Sequence, residues 1–525
     1  MRRFFNFHGH SDHGKDHIHE KNETDAPFSK SLLRDLYCYR KQRGVNLGSW
    51  FVLERWISET PFRFAAEPGQ SDLDVARGSN AKEVLENHWD SWITEDDFKW
   101  LSEIGINTVR IPIGYYHLCG VDTSVIQGTD FREYGMVFEG AWSRVIKAVE
   151  TAQRYQIGVL IDLHAAPGKQ NKDAHSGTSA PKPAFFNASN FHVMIRTLQV
   201  LVTQLGVLRS RQSFPLDNIV GVELLNEPQP PSHDALRAWY VTAMKDLRSL
   251  DPFLPIYIAD CWRTEEYTEF ICSLPSSPAI TALDHHLYRC FTASDISTPA
   301  SGHTASLSDL NAPIPRMFSQ VTERLESAGS GLVIGEWSGA LNPGSLHSAL
   351  DEPQERARYV QAQLSLYDRY CAGWFFWTYK KEHSNDLGWS FKDAVKGNVL
   401  PNHFGLQAIR SFRTDRSGQN ERKNIPKQDA LGQHSSYWAQ YPGHYEHWRF
   451  EQGFSQGWDD GYLFLDSDFS NADTICEVGF TGSLAKRRVE GHIRETGSNR
   501  NVWEFEHGLR QGVIAAKADF RQVYC

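Results

Sequence analysis

Eight short apolar segments rich in β-branched residues recur along the chain, and longer amphipathic stretches separate them. Short runs of this kind are typical of parallel strands buried on both faces, and the intervening stretches are typical of crossover helices. In residues 140–155, for example, Trp142, Val145 and Val149 recur at helical spacing. The eight segments are residues 43–48, 106–113, 157–164, 219–227, 255–260, 282–288, 331–336 and 373–377. Eight such strands with connecting helices predict an α/β fold, a (β/α)8 TIM barrel.

An open, doubly wound α/β sheet is the alternative arrangement of strands and helices in this order. Such a sheet usually has a glycine-rich phosphate-binding turn after an early strand, and the sequence has none there. We therefore predict a barrel over residues 27–409, which is long enough to carry extended loops at its mouth.

The composition indicates a folded protein and argues against a nucleic-acid partner. Hydrophobic residues make up 40% of the 525 residues and aromatic residues 12%, more than a disordered chain carries. The chain has 64 acidic and 54 basic side chains, which gives a net charge of −10. This balance does not provide the positive field that binding to DNA or RNA requires.

Two segments outside the predicted barrel are polar. Residues 1–26 hold five histidines within twelve positions, among charged residues and glycine. This composition predicts a disordered tail, with a metal-binding tract as the alternative. Residues 410–440 are polar and basic, which predicts an exposed linker or a long loop.

The last segment, residues 441–525, is rich in aromatic residues. Five of them fall at roughly helical intervals, namely Tyr445, Trp448, Phe454, Trp458 and Tyr462. We interpret them as a core stripe on a mostly helical extension that packs against the barrel, and a sugar-binding platform is the alternative.

The sequence also bears on the compartment. Its first residues turn polar at once, and no later run reaches the roughly 18 apolar residues of a membrane span. The eight cysteines are scattered and include no CxxC pair, which argues against zinc and against a dense disulfide framework. We therefore expect a cytoplasmic monomer with reduced thiols and no membrane span, and a secreted or cell-wall location is the less favoured alternative.

Two glutamates stand at the ends of predicted strands. Glu227 ends the fourth apolar run, within Asn-Glu-Pro, and Glu336 ends the seventh, within Gly-Glu-Trp. The carboxyl ends of barrel strands form the mouth where catalytic groups are found. Buried carboxylates are costly unless they are paired. Two of them at one mouth suit general acid/base chemistry and nucleophilic attack on an acetal.

Other polar or aromatic residues mark further strand ends, namely Arg110, His164, His286, Tyr288 and Trp377. Each alone has an ordinary structural explanation, such as a core ion pair or a hydrogen-bonded histidine. Because each lies at the end of its own predicted strand, together they indicate a site.

We expect the two carboxyls to differ in pKa. The charge of Arg110 and a hydrogen bond from Tyr288 would lower the pKa of one carboxyl and keep it ionised. The other carboxyl would have an apolar wall and a like charge beside it, which would raise its pKa toward about 6 to 7. A proton donor at neutral pH needs a pKa in this range.

With these residues in place, the sequence resembles the retaining β-glycosidases of glycoside hydrolase family 5, and within them the fungal exo-β-1,3-glucanases of the intracellular branch. The resemblance covers about residues 40–395. The motifs that carry it are RGVNLGSWFVLERWI (43–57), INTVRIPIGYY (106–116), DLHAAPGKQN (162–171), LLNEPQ (224–229), DHHLYRCF (284–291), GEWSGAL (335–341) and WFFWTYK (374–380).

The resemblance implies roles for individual residues. Glu227 would be the acid/base and Glu336 the nucleophile. Glu54 would hold the terminal glucose, and Phe291 would belong to a clamp on the second sugar. The sugar subsite would be completed by Arg110, His164, Asn226, His286, Tyr288 and Trp377, with Asn226 binding the 2-hydroxyl and Trp377 forming the floor. The resemblance implies no metal and no cofactor.

Two departures from the family pattern affect these expectations. Secreted relatives often place an aromatic residue just after the APGxQN stretch, and here that stretch continues with Lys172, Asp173 and Ala174. The partner of Phe291 in the clamp is therefore altered, and the sequence leaves open which aglycone the outer subsite accepts. Secreted members also have a signal peptide and disulfides, whereas this chain has a histidine-rich start and the extra segment 441–525.

The resulting hypothesis is double displacement on a β-glucan or β-glucoside, with release of glucose from the end of β-1,3-glucan. Retention requires carboxyl groups about 5 to 5.5 Å apart, and inversion about 6.5 to 9.5 Å. A β-glucosidase for a lipid-linked or small-aglycone glucoside and a β-1,6-glucanase are alternatives within the enzyme class. A non-catalytic glucan-binding protein with an inherited barrel is the alternative from another class.

Overall fold

A computed structural model describes residues 30–525 except 276, 278, 348, 409–417 and 468–473. In it, eight parallel strands close into a barrel in sequence order. The strands are β1 (Gln42–Asn46), β2 (Thr108–Gly114), β3 (Gly158–Ala165), β4 (Ile219–Glu223), β5 (Ile256–Ala259), β6 (Thr281–Arg289), β7 (Gly331–Leu341) and β8 (Gly373–Phe376). The predicted (β/α)8 barrel is confirmed, and each predicted segment overlaps one strand.

The strands are almost wholly buried because helices cover the outer face of the barrel and side chains fill its interior. Within the described residues, the α-helices up to β8 are α1 (Lys30–Tyr39), α2 (Asp72–Ala76), α3 (Ala81–Ser91), α4 (Glu95–Glu103), α5 (Gly135–Phe138), α6 (Ala141–Arg154), α7 (Ala188–Arg209), α8 (His233–Leu250), α9 (Thr264–Ser273), α10 (Ala293–Ser297), α11 (Ala300–Ser308), α12 (Pro313–Ser327), α13 (Pro343–Leu346) and α14 (Glu352–Tyr370). After β8 come α15 (Phe391–Lys396), α16 (Gln419–Trp438), α17 (His447–Leu465), α18 (Thr481–Thr496) and α19 (Val502–Tyr524).

Helix α7 is long and apolar enough to cross a membrane by length and composition. It lies between β3 and β4 in the barrel sequence, and side chains such as Leu198, Leu201 and Leu205 are buried. These features are those of a core helix of the barrel. The expectation that the chain has no membrane span stays a prediction.

The end of the barrel opposite the mouth is closed by α1 and by the C-terminal helices. Tyr37 on α1 belongs to one apolar cluster with interior residues of the strands, such as Tyr257 and Phe375. Phe464 and Phe480 from the C-terminal segment join the same cluster. The backbone N–H of Gly479 also donates to the carbonyl of Tyr39 over 2.8 Å. The C-terminal segment therefore plugs the barrel and completes its core.

A buried ion pair fastens this plug. Glu477 is 2% exposed and pairs with Arg43 on β1 and with Lys517 on α19. Burial raises the pKa of Glu477, but the charges of Arg43 and Lys517 outweigh burial and lower it to about 2. The carboxylate therefore stays ionised at any physiological pH and links the barrel to α19.

The structure differs from the linker predicted over residues 410–440, because residues 419–438 form helix α16. Its basic side chains pair with acidic residues of the neighbouring helices: Arg422 with Asp519, and Lys423 with Asp459. Leu431 packs on the core that α17 and α19 share. The polar composition suggested a solvent-exposed linker, but the charged side chains of α16 pair with acidic residues on neighbouring helices. Residues 409–417 and the predicted tail, residues 1–26, lie outside the described residues.

The predicted aromatic stripe is only partly buried. Phe454, Trp458 and Tyr462 are in the core, whereas Trp448 is 43% exposed. Phe450, one helical turn before Phe454, occupies the buried position instead.

Helices α17 and α19 approach each other through glycines. A Cβ atom at Gly457 would overlap the carbonyl group of Leu509, and one at Gly508 would overlap that of Phe450. Side chains at these positions would push the two helices apart. Glycine is therefore required for this packing distance, and the interpretation of residues 441–525 as a helical extension agrees with the structure.

Candidate active site

The barrel mouth brings the two predicted carboxyls together. Glu336 lies within β7, and Glu227 lies just beyond the end of β4. One carboxyl oxygen of each lies within 4.8 Å of the other and of a His286 nitrogen. Glu227 has a φ of 43°, and the side chain of Asn171 donates to its carbonyl over 3.1 Å. A positive φ at a residue other than glycine is strained and persists where surrounding structure fixes it. The loop therefore holds Glu227 in place.

Arg110 on β2 is fully buried beneath the two carboxyls and organises the site. Its guanidinium donates to Glu336 Oε1 over 3.1 Å, to Glu223 Oε2 over 2.7 Å and to Asn226 Oδ1 over 2.8 Å. Its Nη1 also donates to Asn46 Oδ1 over 2.9 Å. The planar fork thus fixes the nucleophile candidate and Asn226 in one rigid arrangement.

Three buried acids lie under the site. Asp162 on β3, Glu223 on β4 and Asp284 on β6 are each at most 2% exposed. Burial raises the pKa of Glu223 to about 8, against the opposing charge of Arg110. Glu223 therefore carries a proton at neutral pH. Burial raises the pKa of Asp284, but the charge of His286 and hydrogen bonds from His286 and Glu223 help to outweigh burial and lower it. Gly335 is required beside this pair, because a Cβ there would overlap the Asp284 carboxylate.

His164 is held in a fixed orientation at the mouth. Its Nδ1 lies 2.7 Å from Asp162 Oδ2, and its Nε2 lies 2.8 Å from Nδ1 of His175. Trp377 is parallel to the His164 ring, with centroids 5.5 Å apart and planes at 4°. Burial lowers the pKa of His164 well below its usual value, so the imidazole is neutral. A neutral ring and a flat indole suit the wall and floor of a sugar subsite.

The pKa directions of the two glutamates are opposite to those expected from the sequence. Burial raises the pKa of Glu227, but a hydrogen bond of 2.8 Å from His286 and the charge of His286 outweigh burial and lower it. Burial raises the pKa of Glu336, and the charges of His286 and Arg110 with the hydrogen bond from Tyr288 offset only part of this increase. His286 lies between the two carboxyls and lowers the pKa of both, but burial and the charge of Glu227 dominate at Glu336.

His286 holds the proton of this group. Burial lowers the pKa of His286, but the carboxylates of Glu336 and Asp284 outweigh burial and raise it well above its usual value. Its Nε2 lies 3.1 Å from Asp284 Oδ2, and its Nδ1 is 2.8 Å from Glu227 Oε1 and 3.4 Å from Glu336 Oε2. The proton that a leaving group needs therefore resides on the His286–Glu227 pair.

Glu54 and His175 form the side of the site next to Glu227. One ligand atom each of Glu54, His164 and His175 lies within 4.8 Å of the other two. Burial raises the pKa of Glu54 to about 7, with His175 opposing. Burial lowers the pKa of His175, but Asp173, Glu54 and Glu227 outweigh burial and raise it to about 9. His175 is therefore a cation at neutral pH.

Phe291 lies at the rim and is 68% exposed. Its ring neighbours are Tyr288, at 5.7 Å, and Trp389 from the segment after β8, at 6.0 Å. Trp56 extends the same aromatic rim, with its ring 5.4 Å from that of Trp389. Lys172 and Asp173 are exposed and supply no ring opposite Phe291. The rim therefore has aromatic rings at Phe291, Trp389 and Trp56 but none at Lys172 or Asp173, where the sequence indicated an altered clamp.

Several residues of the site were not identified from the sequence. Asp162 and Asp284 each stand two residues before a predicted histidine on the same strand, so their side chains face the same interior as His164 and His286. This Asp-x-His spacing is a signal that could have identified both. His175 lies in a loop with no periodicity, and no pattern in its neighbourhood indicates it.

A (β/α)8 barrel with two facing glutamates, an arginine and sugar-stacking aromatics at its mouth defines a glycoside hydrolase. Comparison with known proteins agrees. Residues 76–383 match the family described as Cellulase (glycosyl hydrolase family 5). Residues 419–521 match a second family, described as the Glucan 1,3-beta-glucosidase 3 C-terminal domain. The chain belongs to glycosyl hydrolase family 5, as the sequence motifs indicated.

Similar proteins include Glucan 1,3-beta-glucosidase 3 of Schizosaccharomyces pombe, 30% identical over 495 residues, covering 91% of this chain and 95% of the relative. A probable glucan 1,3-beta-glucosidase A of Aspergillus fumigatus is 30% identical over 400 residues, covering 68% of this chain and 87% of the relative. Among solved structures, rutinosidase from Aspergillus niger shares the fold, with a TM-score of 0.54 at 18% identity over 70% of this chain and 99% of the other.

Proposed function

We propose that the protein is a retaining, exo-acting glucan 1,3-β-glucosidase. The observation that carries the proposal is the carboxyl pair, since oxygens of Glu227 and Glu336 lie within 4.8 Å of each other. An oxygen–oxygen distance within this bound fits the roughly 5 to 5.5 Å between carboxyl groups in retaining enzymes better than the roughly 6.5 to 9.5 Å in inverting enzymes. The names of the relatives from Schizosaccharomyces pombe and Aspergillus fumigatus support β-1,3-glucan as the substrate.

In the first step, Glu336 attacks the anomeric carbon while Glu227 protonates the glycosidic oxygen. The proton reaches Glu227 from His286, whose Nδ1 is 2.8 Å from Glu227 Oε1. The bond to the leaving sugar breaks as the ester to Glu336 forms, and this step leaves Glu227 as a carboxylate and His286 neutral. In the second step, Glu227 takes a proton from water, and the resulting hydroxyl displaces Glu336. Each displacement inverts the configuration at the anomeric carbon, so the two together retain it.

The remaining residues have supporting parts in this proposal. Arg110 and Tyr288 hold the two oxygens of Glu336, over 3.1 and 2.8 Å. Asn226 is fixed by Arg110 where it can bind the 2-hydroxyl, and Trp377 forms the floor. Glu54 accepts from Trp56 over 2.7 Å and has one buried oxygen without a hydrogen-bond partner, which a sugar hydroxyl can satisfy.

A β-glucosidase acting on a small or lipid-linked aglycone is the second candidate. Phe291 favours it, because this ring is 68% exposed and the residues after the APGxQN stretch, Lys172 and Asp173, supply no aromatic partner for a clamp. An open rim of Phe291, Trp389 and Trp56 accepts a flat apolar group as readily as a sugar ring.

The experiment that tests both candidates compares wild type with Glu336→Gln on three substrates: laminari-oligosaccharides, β-1,6-linked glucosides and glucosyl lipids. Stepwise release of glucose from laminari-oligosaccharides by wild type alone is the expected result. Faster release from glucosyl lipids moves the assignment to the second candidate, and faster release from β-1,6-linked glucosides to a β-1,6-glucanase. Binding of these substrates without turnover by either protein identifies a glucan-binding protein and contradicts the proposal.

We further propose that the protein works as a monomer in the cytoplasm. The eight cysteines all lie within the described residues, none of them is in a disulfide, and four of them are buried. Buried cysteines outside disulfides are typical of a reducing compartment. Light scattering of the purified protein tests the monomeric state, and a dimer would contradict it. Fractionation of cells that express the protein tests the location, and a secreted pool would contradict it.

A further inference from the structure

Three helices of the C-terminal unit converge on one buried carboxylate. Glu504 on α19 is fully buried. Its Oε2 lies 3.0 Å from Nε2 of His434, on α16, and 2.9 Å from Nδ1 of His447, the first residue of α17. Its Oε1 accepts the backbone N–H of Glu446 over 2.6 Å. One ligand atom of each of the three side chains lies within 4.8 Å of the other two.

The two imidazole rings are held in place by their neighbours. His434 stacks on Phe450 with centroids 4.1 Å apart and planes at 17°. His447 lies parallel to Tyr445, with centroids 5.8 Å apart and planes at 5°. The nitrogen atoms therefore point at Glu504 without rearrangement, as a preorganised ligand set does.

The charge of Glu504 has no permanent counter-ion. In the part of the chain that the structure describes, no lysine or arginine lies within ion-pair distance of it, and its charge partners are the two histidines. Three acids of the active site, Asp162, Glu223 and Glu336, differ, because each lies within ion-pair distance of the guanidinium of Arg110. A buried carboxylate needs a compensating positive charge. Here that charge is either a proton on an imidazole or a bound cation.

The donor set favours a cation of a specific kind. Imidazole nitrogens and a carboxylate oxygen are common ligands of Zn²⁺, and three protein ligands plus water make a tetrahedral site. Ligand atoms about 2.0 to 2.1 Å from zinc at tetrahedral corners are about 3.3 Å apart. The separations of 3.0 and 2.9 Å differ from this value by a few tenths of an ångström. The side chain of His447 is 33% exposed, which leaves a route for the ion and a water ligand.

We propose that His434, His447 and Glu504 bind one zinc ion that ties α16, α17 and α19 together. The site lies in the unit that plugs the barrel, at the end opposite the mouth, so its role is to stabilise the plug. It is independent of the proposed glucanase activity. The three ligands come from three different helices and include no cysteine, so the cysteine pattern gave no indication of this site.

The test measures zinc binding by the full-length, untagged chain after removal of metals with a chelator. The ligand variant is His447→Ala, and the control is His444→Ala, which removes an exposed histidine three residues earlier. The histidines of residues 1–26 are present in all three proteins, so any zinc they bind cancels in the comparison. Zinc content after dialysis is determined by mass spectrometry, and the unfolding temperature is recorded with and without zinc.

Wild type and His444→Ala are expected to retain one more equivalent of zinc than His447→Ala. Zinc is expected to raise the unfolding temperature of the first two proteins and to leave that of His447→Ala unchanged or raised much less. Equal zinc content and equal temperature shifts in all three would overturn the proposal and leave a proton as the counter-charge of Glu504. Should His447→Ala fold poorly, Glu504→Gln, which keeps the side-chain shape, is measured in its place with the same two outcomes.

Discussion

His286 lies between the two carboxyls of the site, with its Nδ1 2.8 Å from Glu227 and 3.4 Å from Glu336. The same ring contacts Asp284 through Nε2, at 3.1 Å. An imidazolium in this position lies within ion-pair distance of both glutamates. It lowers the pKa of Glu227 and supplies the proton that Glu227 must deliver.

The first prediction concerns the pH dependence of catalysis. The carboxylates around His286 raise its pKa well above the usual value, so the His286–Glu227 pair keeps its proton above neutral pH. In His286→Asn, the carboxyl of Glu227 alone must hold that proton. We expect the alkaline limb of kcat/KM to move to lower pH by about 1 unit or more, together with a lower maximum. An unchanged limb in the full pH profile would show that another group is the proton donor.

The second prediction concerns Tyr288, which donates to Glu336 Oε2 over 2.8 Å. A hydrogen bond to a charged group is worth about 1.5 to 3 kcal/mol. Removal of the hydroxyl in Tyr288→Phe is expected to lower kcat about 10- to 100-fold, with little change in unfolding temperature. Tyr134→Phe, which alters a partly buried tyrosine in the segment between β2 and α6, is the matched control. Equal kcat for both variants would exclude a part for Tyr288 in positioning the nucleophile.

The third prediction concerns stability and His175. Asp173, Glu54 and Glu227 raise its pKa to about 9 from 6.5, so the folded state binds an extra proton between these pH values. Its contribution to stability is complete below pH 6.5 and is lost as the pH rises through about 9. At about 1.4 kcal/mol per pKa unit, wild type should lose on the order of 3 kcal/mol more than His175→Gln across this range. Urea unfolding at several pH values measures the difference, and parallel curves would refute it.

The fourth prediction concerns the packing of α17 against α19. A Cβ at Gly457 would overlap the carbonyl of Leu509, whereas a Cβ at Gly491 on α18 meets nothing within 4 Å. Overpacking typically costs 1 to 3 kcal/mol, so Gly457→Ala should be destabilised by about that amount. Gly491→Ala, the same change in an open helical position, should be stabilised by about 0.5 to 1 kcal/mol. Chemical denaturation that ranks the two variants in the other order would contradict the close approach of the helices.

The barrel was predictable because its strands are short apolar runs, most of them with β-branched residues and with a polar residue at or just beyond the carboxyl end. Glu227, Glu336 and Arg110 could be identified for the same reason, since a charged side chain at the end of a buried strand needs an explanation. Helix α16 was not predictable, because Arg422 and Lys423 pair with Asp519 and Asp459, which lie far along the chain.

The pKa directions of the two glutamates were predicted wrongly for a related reason. The sequence placed Arg110 and Tyr288 near one carboxyl, but it gave no distance from His286 to either. Only the folded site shows that His286 contacts both and that burial dominates at Glu336. Electrostatic roles depend on distances of a few ångströms, which strand periodicity does not specify.

The most direct test of the account is to trap the covalent intermediate. The protein is incubated with a mechanism-based fluoroglucoside whose glycosyl-enzyme ester hydrolyses slowly, and the labelled peptide is identified by mass spectrometry. The account predicts one glucosyl label, on Glu336, and no label in Glu336→Gln. A label on Glu227 or on another residue, or turnover of the reagent without any label, would contradict the proposal that Glu336 is the nucleophile of a retaining glucosidase.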